Sequence, residues 1–93
     1  MSTPVRDLAT LTVEVRYFAA AKSAAGTPAE SLEIPSGTTV EGLAALLADR
    51  HGPELAKVLA RCSFLLDEIA VRDVTRELPR ASTIDILPPF AGG

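Results

Sequence analysis

The residues of this chain best placed to do chemistry stand at its end, in the run ILPPFAGG, residues 86–93. Pro88 and Pro89 each hold φ near −65° and restrict the residue before them to extended geometry, so the chain must leave whatever precedes it stiff and straight. From Pro88 to Gly93 the arm reaches at most about 20 Å, at ~3.3–3.6 Å per residue. Phe90 offers an anchor along it, Ala91 is small, and Gly92 and Gly93 carry no side chain, so the tip is as thin as a polypeptide can be. Such an arm can carry a backbone carboxylate into a narrow channel of another protein, which makes the acyl carbon of Gly93 the candidate reactive group. A final Gly-Gly taken alone is more often a frayed end. Two prolines fed directly by a strand favour use over fraying.

The other reactive residue types are isolated. Cys62 is the only cysteine, so it has no partner for an internal disulfide and no second thiol for a zinc or redox pair. At a strand start it reads as a small buried apolar residue, and no neighbouring His or Lys activates it. His51, the only histidine, falls in the last turn of a helix, where the dipole favours an imidazolium; no second ligand lies near it in sequence. Asp67-Glu68 has the look of a turn rather than a carboxylate pair. Gly26, Gly37 and Gly42 do not make a phosphate loop. Nothing gathers a nucleophile, a base and an oxyanion hole, so catalysis by this chain alone is not expected.

The elements that must position the arm can be read from periodicity. Residues 1–10 form an expected flexible leader, 11–87 the folded domain and 88–93 the extended tail. In LTVEVRYF, Leu11, Val13, Val15 and Tyr17 share one face of a strand, while Thr12, Glu14, Arg16 and Phe18 share the other. AAAKSAAG is a short helix stopped by Gly26. ESLEIP is a second strand, with Leu32 and Ile34 inward and Pro35 at its end. SGTTVEGLAALLADRHGP is the main helix. Thr38 and Glu41 have capping-box spacing, Val40, Leu43, Leu46 and Leu47 recur at helical period, and Gly52-Pro53 stops it. ELAKVLARC adds a further helical turn. CSFLL, Asp67-Glu68 and IAV make a strand, tight turn and strand, RDVTRELPRAS an irregular connection, and TIDIL the last strand, with Ile84 and Ile86 inward and Thr83, Asp85 and Leu87 outward. One main helix and about five strands predict a two-layer α+β domain whose other sheet face is wet. Phe18 and Leu87 share that wet face at corresponding strand ends, which reads as a contact patch.

Composition narrows the function classes. Nine Lys and Arg stand against twelve Asp and Glu, for a net charge of −3; the basic residues are scattered. That speaks against nucleic acid, whose binders need a cationic stripe to release counterions. No apolar run approaches the ~18 residues of a membrane span, and the start shows no apolar signal region. With its single cysteine, the chain fits a reducing cytoplasm.

Three segments resemble the MoaD/ThiS family of ubiquitin-like sulfur carriers, most closely its molybdopterin synthase small-subunit branch. VRYFAAAKSAAG is similar to that branch's first strand and Phe-Ala-x-x-Lys/Arg-x-x-x-Gly turn. IPSGTTVEGLAALL is similar to its turn and central helix, and IDILPPFAGG to its last strand and Pro-Pro-x-x-Gly-Gly end. The family often carries Asn-Gly where Asp67-Glu68 stands, and an acidic Gly-Asp turn where RAST stands. The resemblance implies a β-grasp (ubiquitin-like) fold, with the last strand central and parallel to the first. It also implies a cycle. An adenylating activating enzyme uses Mg-ATP to adenylate the Gly93 carboxylate, and a persulfide sulfur donor displaces AMP to leave a thiocarboxylate. The arm then enters the large subunit of molybdopterin synthase, where sulfur passes to the pterin precursor. No cofactor is expected on this chain itself; Mg-ATP belongs to the activating partner. By position, Phe18 and Leu87 match apolar residues of the family's partner-binding face, and a third falls on Ile69 or its neighbour Ala70. Three other outcomes stay open: a carrier for cysteine or thiamine synthesis, a protein modifier joined to lysines through Gly93, and an interaction module with an inert tail.

Overall fold

The computed structural model describes residues 9–89. Strand β1 (Thr10–Tyr17) keeps the expected alternation: Leu11, Val13, Val15 and Tyr17 are buried and Thr12 and Glu14 exposed. It begins at Thr10, within the stretch expected as leader, because Thr10 pairs with Pro35. Helix α1 (Ala19–Ala25) ends at Gly26, whose φ of 78° and N–H to the Lys22 carbonyl close it; a left-handed residue at this place favours glycine. Strand β2 (Ala29–Pro35) runs antiparallel to β1, with Ile34 buried and Leu32 packed against the core.

Helix α2 (Val40–His51) buries Val40, Leu43 and Leu47. Its cap is Thr39, whose hydroxyl accepts from the Gly42 N–H at 3.0 Å. The expected Thr38–Glu41 box therefore does not form; the cap falls one residue later, and Gly42 has no side chain to complete a box there. Thr38 instead donates its hydroxyl to the Pro35 carbonyl at 2.6 Å, closing the turn out of β2. The free N–H groups of Val40 and Glu41 go to the carbonyls of Arg76 and Val74, so the irregular 71–80 connection satisfies helix donors that would otherwise be orphaned. Leu78 anchors that connection in the core at 5% exposure.

Gly52, at φ 100°, ends α2 and caps α3 (Pro53–Leu59). Proline at the first position of α3 lacks only an N–H that has no helical partner anyway. The expected extra turn is thus a separate helix, set on the core by Leu55 and Leu59. Strands β3 (Ser63–Leu66) and β4 (Ile69–Ala70) form a hairpin around Asp67 and Glu68, at φ 48° and 71°. Two positive φ values in a two-residue turn are the geometry that Asn-Gly takes most easily. Here β5 (Ala81–Leu87) holds it. The Asp67 N–H donates to the Thr83 carbonyl at 2.8 Å, and the Thr83 N–H donates to Asp67 Oδ1 at 2.9 Å.

The sheet order is β2-β1-β5-β3-β4, with β1 and β5 parallel and every other pair antiparallel. The expected mixed sheet with a central last strand is what forms. All inward strand residues meet Ala21, Val40, Leu43, Leu47, Leu55 and Leu59 of the helices in one core.

Candidate functional site

The candidate site is the outer face of the sheet where β1 and β5 end, together with the Pro88-Pro89 segment that follows. Parallel register sets Tyr17 beside Ile86, both buried. One residue further in each strand, alternation turns Phe18 and Leu87 to the outer face, side by side. The Phe18 N–H extends the ladder to the Ile86 carbonyl at 3.3 Å. Ala19, at φ 51°, then swings the chain into α1, and the Phe18 carbonyl accepts from the Ala21 N–H at 3.0 Å. The Phe18 ring stays 40% exposed, Leu87 is half-buried, and Leu87 passes straight into Pro88 and Pro89. Phe90, Ala91, Gly92 and Gly93 lie outside the described residues.

The register does not bring Ile69 to this patch. Ile69 pairs with Leu66, which pairs with buried Ile84, so Ile69 projects from the other side of its hairpin, at 71% exposure. Ala70 pairs with Leu65, and Leu65 with Asp85. The small apolar residue on the outer face is thus Ala70, with Leu65 beside it.

Sequence reasoning also missed the centre of this face. Arg16 and Asp85 are partners in the β1–β5 register. The guanidinium grips the carboxylate through two bonds, Nε to Oδ1 at 2.6 Å and Nη2 to Oδ2 at 2.9 Å. Asp85, expected in water, is 5% exposed, because Arg16 lies over it. The hydrogen bonds to Asp85, and then its charge, raise the Arg16 pKa further above its ordinary value. The signal was two opposite charges at outward positions, but it means something only once β1 and β5 are known to be neighbours. A depression of about 240 Å³ lies beside the pair, lined by Arg16, Asp67, Glu68 and Thr83.

The isolated candidates take structural roles. Cys62 is half-buried, donates to the Val58 carbonyl at 3.2 Å, and has its thiol pKa raised by burial, which makes it a poor nucleophile. His51 does more than end a helix: its Nε2 lies 2.5 Å from Glu30 Oε2. Tyr17 donates its hydroxyl to the same oxygen at 2.6 Å, and Arg50 Nε donates to Oε1 at 3.0 Å. Burial, then the bond to Glu30, pushes the Tyr17 pKa well up. Burial alone would raise the Glu30 pKa, yet the bonds from Tyr17, His51 and Arg50 outweigh it and hold it below the ordinary value. This cluster pins the end of α2 to β1 and β2. Among the described residues no three His, Cys, Asp or Glu gather to hold a metal ion, and no helix is long and apolar enough to cross a membrane.

Comparison with known proteins places the whole chain. The molybdopterin synthase sulfur carrier subunit of Chlamydomonas reinhardtii is 33% identical over 82 residues, which cover 87% of this chain and 98% of that protein. A solved complex of subunits 1 and 2 of the molybdopterin-converting factor from Helicobacter pylori contains a chain 26% identical, with a TM-score of 0.63, covering 89% of this chain and all of that one. The small archaeal modifier protein 1 of Methanosarcina acetivorans is 26% identical, with a TM-score of 0.75, over 90% of this chain and 98% of its own. The fold they share is the ubiquitin-like β-grasp. The model of the ThiS family matches residues 15–93, from the middle of β1 through the last glycine, and the chain belongs to that family.

Proposed function

We propose that this chain is a sulfur carrier and the small subunit of a molybdopterin synthase. One observation carries the reading: an apolar pair, Phe18 and Leu87, sits on an outer sheet face whose last strand runs without a break into Pro88-Pro89. The patch gives a partner something to hold, and the two prolines aim the tail from that hold. In the cycle proposed, a partner enzyme uses Mg-ATP to join AMP to the Gly93 carboxylate, which turns a poor electrophile into one with a good leaving group. The outer sulfur of a persulfide attacks the acyl carbon and AMP departs. A second thiol of the donor then cleaves the sulfur–sulfur bond, leaving a thiocarboxylate. The large subunit receives the arm and takes the sulfur for the pterin precursor. The Helicobacter complex supports a large-subunit partner, and the Chlamydomonas protein supports the carrier role.

Incubation with an activating enzyme, Mg-ATP and a sulfur donor is expected to change the intact mass by sulfur minus oxygen, with the gain mapping to Gly93. An unchanged mass beside a positive-control carrier charged by the same enzymes would refute the carrier reading. Copurification with a large synthase subunit, rather than with a cysteine- or thiazole-forming enzyme, then selects the pathway. The likeness to a small archaeal modifier supports a second reading, attachment of Gly93 to lysines. Conjugates that survive reducing agents on a gel would favour it.

A further inference from the structure

On the helix side of the sheet end, an open groove of about 640 Å³ runs between α3 and the Pro88-Pro89 segment. Ala20, Val58 and Pro88 contribute apolar wall, and Lys57 and Arg61 line it beside a single carboxylate, Glu54. Two cations against one carboxylate leave the groove with a net charge of +1, in a chain whose own net charge is −3. Lys57 and Arg61 are both exposed, and neither makes an ion pair with another described residue. Arg16 and Arg50, by contrast, are held by Asp85 and Glu30.

We infer that this groove is a second contact for the large synthase subunit, which fills it with a segment carrying an apolar side chain flanked by carboxylates. The inference deepens the small-subunit reading and rests on it. Three observations select this occupant. The first is size. A stable protein–protein interface buries about 800 Å² per partner and takes roughly 20–30 residues a side. The outer patch offers Phe18, Leu65, Ala70 and Leu87, so the interface must extend beyond it. The second is continuity. Leu87 leads directly into Pro88, and Ala20 lies two residues after Phe18, so two walls of the groove begin where the patch ends. The third is charge. Unpaired cations beside apolar wall favour an apolar segment with carboxylates and oppose a basic one, while a nucleic acid needs a longer cationic stripe. A partner seated on both the patch and the groove holds the Pro88-Pro89 segment between two contacts, which fixes the direction in which the chain leaves the sheet.

Titration of the full chain with a purified large synthase subunit provides the test. Lys57→Glu/Arg61→Glu is expected to weaken binding at least about tenfold. Its melting temperature should stay near that of the parent chain, because both side chains are exposed. Arg72→Glu/Arg76→Glu makes the same change of net charge at exposed positions in the connection before β5, and should alter affinity less than about threefold, since salt screens charges outside the contact. In the complex, a carbodiimide is expected to join the Lys57 amine to a large-subunit carboxylate. Lys22 is the only other lysine of the chain, so digestion and mass spectrometry can assign the link. Equal affinities for the two charge-reversed variants, or no link at Lys57, overturn the groove contact and leave the small-subunit reading standing. So does a Lys57 link found only to a second copy of this chain. A parent chain that binds no large subunit sinks the small-subunit reading and the groove contact with it.

Discussion

Glu30 is where single-residue electrostatics can be tested. Its carboxylate collects Tyr17, His51 and Arg50, and its pKa is held below the ordinary value. A depressed folded-state pKa stabilises the protein above the unfolded-state value, here about 4.3, and that contribution disappears as pH falls through the folded-state pKa. Glu30→Gln is therefore expected to lose about 1–2 kcal/mol at pH 7, as hydrogen bonds to a charged group are exchanged for weaker ones. Its deficit relative to the parent chain should shrink as pH drops below the carboxylate range. Urea midpoints at pH 7 and at acidic pH measure both; an equal deficit at the two would show that the charge on Glu30 contributes nothing. Both tyrosine and glutamate were legible as strand residues, Tyr17 inward by alternation. Their meeting with His51 was not, because it joins three elements that only packing brings together.

At the scale of elements, the clearest difference between pattern and structure is the start of α2. Thr38 and Thr39 are adjacent, both hydroxylated, and either can precede a helix. The Thr-x-x-Glu spacing favoured Thr38, but a cap must also have the backbone direction that lets its oxygen face the helix N–H groups. Thr39, at φ −90° and ψ 172°, has it, while the Thr38 hydroxyl is spent on Pro35. Thr39→Ala should cost about 1 kcal/mol in thermal or urea unfolding. Thr38→Ala should cost less, as it removes a bond that is exposed to water. The reverse ranking would restore the capping box. The β3–β4 turn teaches a related lesson. Asp-Glu is weak chemistry for two positive φ values, and its conformation is secured by Thr83 of β5, from outside the hairpin.

For the whole molecule, the consequence is a face built from strands that are distant in sequence. Phe18 and Leu87 sit sixty-nine positions apart and become neighbours because β1 and β5 pair in parallel. Phe18→Asp or Leu87→Asp is expected to weaken binding to a large synthase subunit at least about tenfold, or ~1.4 kcal/mol, since a charge is then buried in an apolar contact. The melting temperature should stay near that of the parent chain, because neither side chain is in the core. Calorimetric titration alongside a thermal scan separates the two effects. Unchanged affinity would move the docking surface elsewhere; a matching loss of melting temperature would make the residues structural.

Local pattern by itself determined most of the elements here and the inward sets Leu11, Val13, Val15 and Tyr17, and Ile84 and Ile86. These follow from alternation, helical period and ring-fixed φ, which act over a few residues. Only the tertiary structure decided that Asp85 is buried under Arg16, that Ala70 and not Ile69 shares the face of Phe18, and that Lys57 and Arg61 flank the tail root. Each of those depends on which strand or helix lies next to which. That choice is set by burial of the shared core, and no short window of sequence contains it.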